Sequence, residues 1–323
     1  MSVTAVVYAA LAAFALVLAS GPVVIPALRR LRVGQVIRQQ GPARHLAKAG
    51  TPTMGGLMFV GACVLASVWF GPRTPTLWVS LGVILAYAAI GFADDFAKVA
   101  RRRSLGLRAR TKLAGQVVAG LLLYAVAARQ GLGTWVEVPW FGYVIDLGPW
   151  YPLLVILVLV ASANAVNLTD GLDGLAAGSA VIALAFYLLV ALQGGHAELA
   201  VISASLAAAT AGFLFFNAHP AQVIMGDTGS LALGAALGVL AVLTKTELLL
   251  PVVGGLFVIE ALSVIVQVGY FRLTGGRRLL KMSPLHHHFE LSGWSEQRVV
   301  SAFWALSVLF AALGFISLRE PGG

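Results

Sequence analysis
The chain is poor in cysteine and poor in charge. Cys63 is the only cysteine in 323 residues and it lies in an apolar run, so no intramolecular disulfide is possible. Charged residues make up 11% of the chain and apolar ones 59%. A soluble domain carries about 25% charged and about 45–50% apolar residues. That shortage of charge excludes an ordinary soluble domain and implies a polytopic membrane protein. The net charge of +9 would suit nucleic acid, but the basic residues sit in loops between apolar runs, which implies no nucleic acid partner. No basic residues precede the first apolar run, and Arg29 and Arg30 follow it. That order is wrong for a cleaved secretory signal, so a retained first helix is expected.

What is present in quantity is hydrophobic length. Ten runs are long enough to span a bilayer, which needs about 20 residues. They cover 3–28, 53–71, 76–96, 112–130, 150–168, 174–193, 197–216, 228–244, 248–270 and 299–318. The fold class expected is an all-α polytopic membrane protein of about ten helices, with 1–323 as a single domain. Lys and Arg concentrate at 29–50, 97–112 and 271–298; only Arg73, Arg129, Lys245 and Arg319 lie elsewhere. With ten helices those three segments share one side, which the positive-inside rule makes cytoplasmic. Both termini then face out. On the outer side, residues 133–148 alternate apolar and polar around Pro139–Gly142, which predicts a short β-hairpin. Trp135, Trp140, Tyr143, Trp150 and Tyr151 suit an interfacial aromatic belt.

Carboxylates at a membrane edge are costly and therefore informative. Five aspartates fall on the basic side: Asp94, Asp95, Asp170, Asp173 and Asp227. Their convergence implies one site there. "GFADDFAKV" ends the third run; Asp94 and Asp95 point about 100° apart on a helix and so do different jobs. Lys98 is placed to pair with Asp94, and a plain surface ion pair is the alternative. "NAVNLTDGLDGLAAG" crowds Asn164, Asn167, Thr169, Asp170 and Asp173 beside Gly171 and Gly174, which allow close approach to a ligand; helix capping is the alternative. "IMGDTGS" places Asp227 and Thr228 at a helix start, where free amides suit phosphate and a carboxylate suits Mg2+; a mere N-cap is again the alternative. "HLAKAGTPTMGG" offers Lys48 and Thr53 as phosphate contacts or as part of a positive loop. Glu260, inside the ninth run, is expected to be a structural partner within the bundle. "SPLHHHFELSGWSE" holds His286, His287 and His288 in a loop on the basic side. Adjacent histidines do not easily converge on one zinc ion, but imidazoles can donate hydrogen bonds to a phosphate or a sugar-peptide donor.

"ADDFAK", "NAVNLTDGLDGLA", "FNAHPAQVIMGDTGSLALG", "PLHHHFELSGWSE" and "HLAKAGTPTMGG" together resemble the phospho-N-acetylmuramoyl-pentapeptide transferase family, across about residues 29–300. The resemblance implies ten helices, a dimer and Mg2+ dependence. It implies transfer of the phospho-sugar from UDP-N-acetylmuramoyl-pentapeptide to undecaprenyl phosphate, giving lipid I and UMP. It implies nucleoside antibiotics at the uridine site and a place in the bacterial inner membrane. It assigns Mg2+ to Asp227 and places Asp94 and Asp95 beside the reacting phosphates, one of them as base or nucleophile. Lys48, Asn167, Asp170, Asp173 and Asn217 resemble uridine- and phosphate-binding positions, with Lys98 and Lys112 as further phosphate contacts. The triple histidine is the mark of the muramoyl-peptide branch. The alternatives are a sister transferase using a UDP-N-acetylhexosamine and, more distantly, an ion-coupled transporter.

Overall fold
A computed structural model describes residues 3–30, 50–101 and 105–318. Lys48 and most of the first basic loop lie outside them. The described chain is almost entirely helical: α1 (Val3–Arg30), α2 (Gly56–Phe70), α3 (Pro75–Arg101), α4 (Ala109–Arg129), α5 (Tyr151–Thr169), α6 (Leu175–Gln193), α7 (Ala197–Asn217), α8 (Gly226–Leu243), α9 (Leu250–Val253), α10 (Gly255–Leu273), α11 (Leu285–Leu291) and α12 (Glu296–Ser317). Among the described residues, nine helices have the length and apolar composition to cross a membrane.

The tenth expected span, α2, has only 15 residues, about 22 Å of helix against a hydrocarbon layer of about 30 Å. Its ends show that it still crosses the bundle. At its start, Gly55 and Gly56 donate backbone hydrogen bonds to Ile224 and Met225, at the head of α8. Its far end leads through Gly71 into α3, and α3 returns to the same head of α8 with Asp95.

α8 organises the bundle. Every residue from Thr228 to Leu243 is buried, as expected of a helix that is apolar on all faces. α2, α3, α5 and α6 pack around it. The ninth run is not one helix: it breaks at Gly254, between α9 and α10. The expected hairpin is present as β1 (Trp135–Val138) and β2 (Tyr143–Asp146), antiparallel with Trp135 opposite Asp146 and Val138 opposite Tyr143. The histidine stretch differs from expectation, since it is the short helix α11 and not a loop. The segment before it is pinned to α10: Leu279 and Leu280 donate backbone N–H to Gln267 Oε1 at 3.1 and 2.8 Å.

Candidate active site
The two adjacent aspartates of α3 diverge as helix geometry requires. Asp95 turns to the head of α8. Its Oδ1 accepts from the Asp227 backbone N at 3.1 Å, and its Oδ2 accepts from the Thr228 N and Oγ1 at 3.0 and 2.8 Å. Asp95 is therefore an N-terminal cap supplied by another helix. This corrects the expectation that free amides at the start of α8 await a phosphate, because two of them are already held by Asp95. Close approach makes it possible. A side chain at Gly91 would meet the Asp227 carbonyl oxygen at 2.1 Å, and Gly226 has φ +71°, with Asp95 Oδ2 and Thr53 Oγ1 where its Cβ would be. Buried Thr53 thus lies beside the cap.

Asp94 turns the other way, toward lysines. Lys98 Nζ lies 2.7 Å from Asp94 Oδ2 and 3.0 Å from Asp227 Oδ1. Lys112 Nζ, from the start of α4, lies 2.7 Å from Asp227 Oδ2 and 3.5 Å from Asp94 Oδ1. The Leu107 backbone N donates to Asp94 Oδ1 at 2.7 Å. Asp94 and Asp95 are buried, whereas Lys98 and Lys112 are partly exposed. Three carboxylates and two ammonium groups thus meet at one end of the bundle, with the cations toward solvent.

The turn between α5 and α6 lies at the same end. α5 stops at Thr169 and Asp170–Gly174 form turns, so Asp170 and Asp173 do not share a helical face. Asp173 Oδ2 accepts from the Ala221 N at 3.1 Å and lies 3.1 Å from His219 Nδ1. His219 Nδ1 is also 3.3 Å from Glu296 Oε2, at the start of α12, and Glu296 Oε1 accepts from the Asp173 N at 2.7 Å. Asp170 is partly exposed and has an interaction of its own. Asn167 donates to Ser230 Oγ at 2.8 Å, tying α5 to α8. Asn164 donates to Gln116 Oε1 at 3.1 Å, tying α5 to α4. Asn217 is buried and spends its amide on main chain, accepting from the Gly174 N and donating to the Val223 O. Sequence reading passed over His219, Glu296, Gln116 and Gly91. Gly91, His219 and Glu296 lie inside quoted stretches, but it is their neighbours across the bundle that give each a part in the site.

The three histidines diverge. His286 is buried, with Nδ1 3.1 Å from Glu260 Oε2. His287 Nδ1 is 2.9 Å from Glu290 Oε2, and His288 Nδ1 accepts from the Lys281 N at 3.1 Å. The His286 and His287 rings pack edge to face, with centroids 4.2 Å apart. Glu260 is the bundle partner the sequence suggested. His286 lies against Gly171, where a Cβ would be 2.2 Å from Nε2, so this helix borders the Asp170–Asp173 turn.

Two groups among the described residues bring ligand atoms within 4.8 Å of one another: Asp94 with Asp95 and Asp227, and Asp173 with His219 and Glu296. The first is all oxygen, the donor type Mg2+ prefers. Asp95 accepts three hydrogen bonds from the head of α8, whereas Asp227 is held by the two lysines and Asp94 by those lysines and the Leu107 N.

A membrane bundle that gathers acids and lysines at one end, beside a glycine-rich turn, has the make-up of an enzyme handling phosphorylated substrates at a bilayer edge. Residues 77–245 match the family described as Glycosyl transferase family 4, and residues 48–60 match the phospho-N-acetylmuramoyl-pentapeptide-transferase signature 1. The chain is 52% identical to the phospho-N-acetylmuramoyl-pentapeptide-transferase of Symbiobacterium thermophilum, covering 97% of this chain and 95% of that one. It is 54% identical to that of Moorella thermoacetica, over 92% and 94%, and 49% identical to that of Geobacillus kaustophilus, over 96% and 97%. The chain belongs to the phospho-N-acetylmuramoyl-pentapeptide-transferase family.

Proposed function
We infer that this protein transfers phospho-N-acetylmuramoyl-pentapeptide from UDP-N-acetylmuramoyl-pentapeptide to undecaprenyl phosphate, giving lipid I and UMP for peptidoglycan synthesis. The carrying observation, within a chain of this family, is the convergence of Asp94, Asp227, Lys98 and Lys112 at one end of the bundle. Its place is the bacterial cytoplasmic membrane. The whole chain, 1–323, acts as one transmembrane domain, with both termini and the β-hairpin outside and the acidic end facing the cytoplasm. A dimer is its working form, and nucleoside antibiotics act at its uridine site.

The donor is a pyrophosphate and the acceptor a phosphate, so positive charge must be brought to two anions. Phosphoryl transfer asks a protein mostly for positioning and charge stabilisation. Lys98 and Lys112 are the cations, held between Asp94 and Asp227 and free to exchange a carboxylate for a phosphate oxygen. Mg2+, held by Asp227 with Asp94 beside it, supplies further charge neutralisation when bound. Of the two adjacent acids, Asp94 is the one this reading places beside the reacting phosphates, and Asp95 supports it by holding the head of α8. The acceptor needs little deprotonation: the second pKa of a phosphate monoester is about 6, so it is largely a dianion near neutrality. Direct attack by the lipid phosphate is the reading this favours. Lys48, Thr53, Asn164, Asn167, Asp170, Gly171, Asp173 and Asn217 form the nucleotide side, with Asn164 acting through the Gln116 side chain it holds and Asn217 through the backbone it holds. His287 and His288 form the wall toward the sugar-peptide, and His286 lies deeper, against Gly171 of the nucleotide-side turn.

The test is UMP release in detergent, with undecaprenyl phosphate as acceptor and Mg2+ present. UDP-N-acetylmuramoyl-pentapeptide should turn over and UDP-N-acetylglucosamine should not. The reverse preference would assign the chain to the sister reaction.

A further inference from the structure
Glu260 and His286 are both fully buried and belong to different helices, α10 and α11. Their contact is two-pronged. Glu260 Oε1 accepts from the His286 backbone N at 3.1 Å, and Oε2 lies 3.1 Å from its ring Nδ1. A carboxylate only accepts, so Nδ1 carries the hydrogen. With that hydrogen on Nδ1, a ring carrying a single hydrogen has its lone pair on Nε2. That atom is buried and has no hydrogen-bond partner among the described residues. Leaving a buried polar atom without a partner is costly, so a partner at another stage of the working cycle is the natural explanation. Nε2 faces Gly171, and a Cβ there would stand 2.2 Å away. Only the glycine Cα therefore separates Nε2 from the Asp170–Asp173 turn.

We propose that Glu260 is a positioning residue for the transfer reaction: it fixes His286 in the Nδ1–H form, so that Nε2 accepts a hydrogen bond from the nucleoside half of the donor. This rests on the transferase reading above and deepens it. An accepting Nε2 excludes phosphate, which at neutral pH presents mainly acceptors, and selects an N–H or O–H group such as the uracil imide or a ribose hydroxyl. It revises the simpler expectation that the histidines donate to phosphate. Gly171 fits the same scheme, since any side chain there would block Nε2.

The experiment uses full-length protein in detergent with 15N-labelled histidine. Uridine and, separately, inorganic phosphate are titrated in. The expected result is that uridine shifts the His286 Nε2 resonance and phosphate does not. A phosphate-induced shift, or an unmoved Nε2 at saturating uridine, would overturn the proposal. In Glu260→Gln the amide can donate to Nδ1, so the ring hydrogen should move to Nε2. The value of kcat/KM for the UDP-sugar should then fall about tenfold or more, with KM for the lipid acceptor unchanged. A variant with lowered Tm but unaltered kcat/KM would reduce Glu260 to a packing residue and sink the idea. Should Glu260→Gln not fold, the wild-type titration decides alone. Wild-type protein that releases no UMP from any donor would instead remove the underlying transferase reading.

Discussion
Two ends of this bundle each bury acid and lysine, and they are built to opposite purposes. At one end, Asp94, Asp95 and Asp227 surround Lys98 and Lys112, which remain partly exposed. At the other, Lys245 is also partly exposed, but its ammonium is committed to protein partners. Its Nζ lies 4.0 Å from the Tyr151 ring centroid, 4.8 Å from that of Trp135, 2.9 Å from the Gly133 O and 3.4 Å from Glu247 Oε1. Buried Tyr151 donates to Glu247 in turn. This second cluster locks the β-hairpin to the start of α5 and to the α8–α9 connection. Its charge is spent on protein, and the aromatic walls add cation–π attraction. The first cluster gathers more acids than its lysines neutralise and leaves those lysines accessible. A buried ion pair thus marks a working site only where its charges stay reachable and unequal.

The comparison breaks first, and most severely, at Asp227. Asp227→Asn should cost about 100-fold or more in kcat and shift the Mg2+ dependence of turnover. An unchanged Mg2+ titration would remove Asp227 as a ligand. Asp94→Asn should lose activity comparably, with a loss of turnover far larger than any fall in Tm from its weakened contacts with Lys98 and the Leu107 N. Gly171→Ala comes next. The added methyl collides with buried His286, and overpacking of this kind costs about 1–3 kcal/mol, so both Tm and turnover should drop. A Tm equal to wild type would show that the turn yields freely. Asp95→Asn should be milder and of a different kind. One cap oxygen becomes an amide, at a cost of about 1 kcal/mol, read as a fall in Tm that accompanies any loss of turnover. Loss of turnover at full stability would return Asp95 to the chemistry.

The smallest effect belongs to the opposite end. Burial raises the Glu247 carboxyl above its ordinary value and lowers the Lys245 ammonium below its own. For Glu247 the folded state holds a proton that the unfolded chain has already released. Stability therefore falls as pH rises from the ordinary carboxyl range through the raised value. Glu247→Gln should flatten that part of a Tm–pH profile and leave UMP release at wild-type rate. A clear loss of turnover would mean that the two ends communicate.

Much of this was readable in the chain. Hydrophobic run length located every long helix, because a bilayer leaves the backbone no alternative to helix. Charge placement brought Asp94, Asp95, Asp170, Asp173 and Asp227 to one end, and the divergence of Asp94 from Asp95 followed from helix geometry. Partner identity was not readable. Free amides were expected at the head of α8, yet Asp95 holds two of them, from 132 and 133 residues away in sequence. Asn217 looked like a ligand contact and is bonded to main chain on both sides of its amide. His219 and Glu296 lie in two separate motifs, and nothing in either stretch shows that they meet at Asp173.

By itself, the sequence determined that this is a multi-pass membrane protein, which family it resembles, and which end of the bundle carries the acids. Those properties follow from run length, local charge and contiguous motifs, all expressed over short stretches of chain. Only the tertiary structure decided what each acid touches: Asp95 meets the amides at the head of α8, Asp94 and Asp227 meet the same two lysines, and Glu260 meets a histidine. The reason is physical. A carboxylate's role is set by the two or three donors within about 3 Å of it, and in a helical bundle those donors come from other helices, far away in sequence.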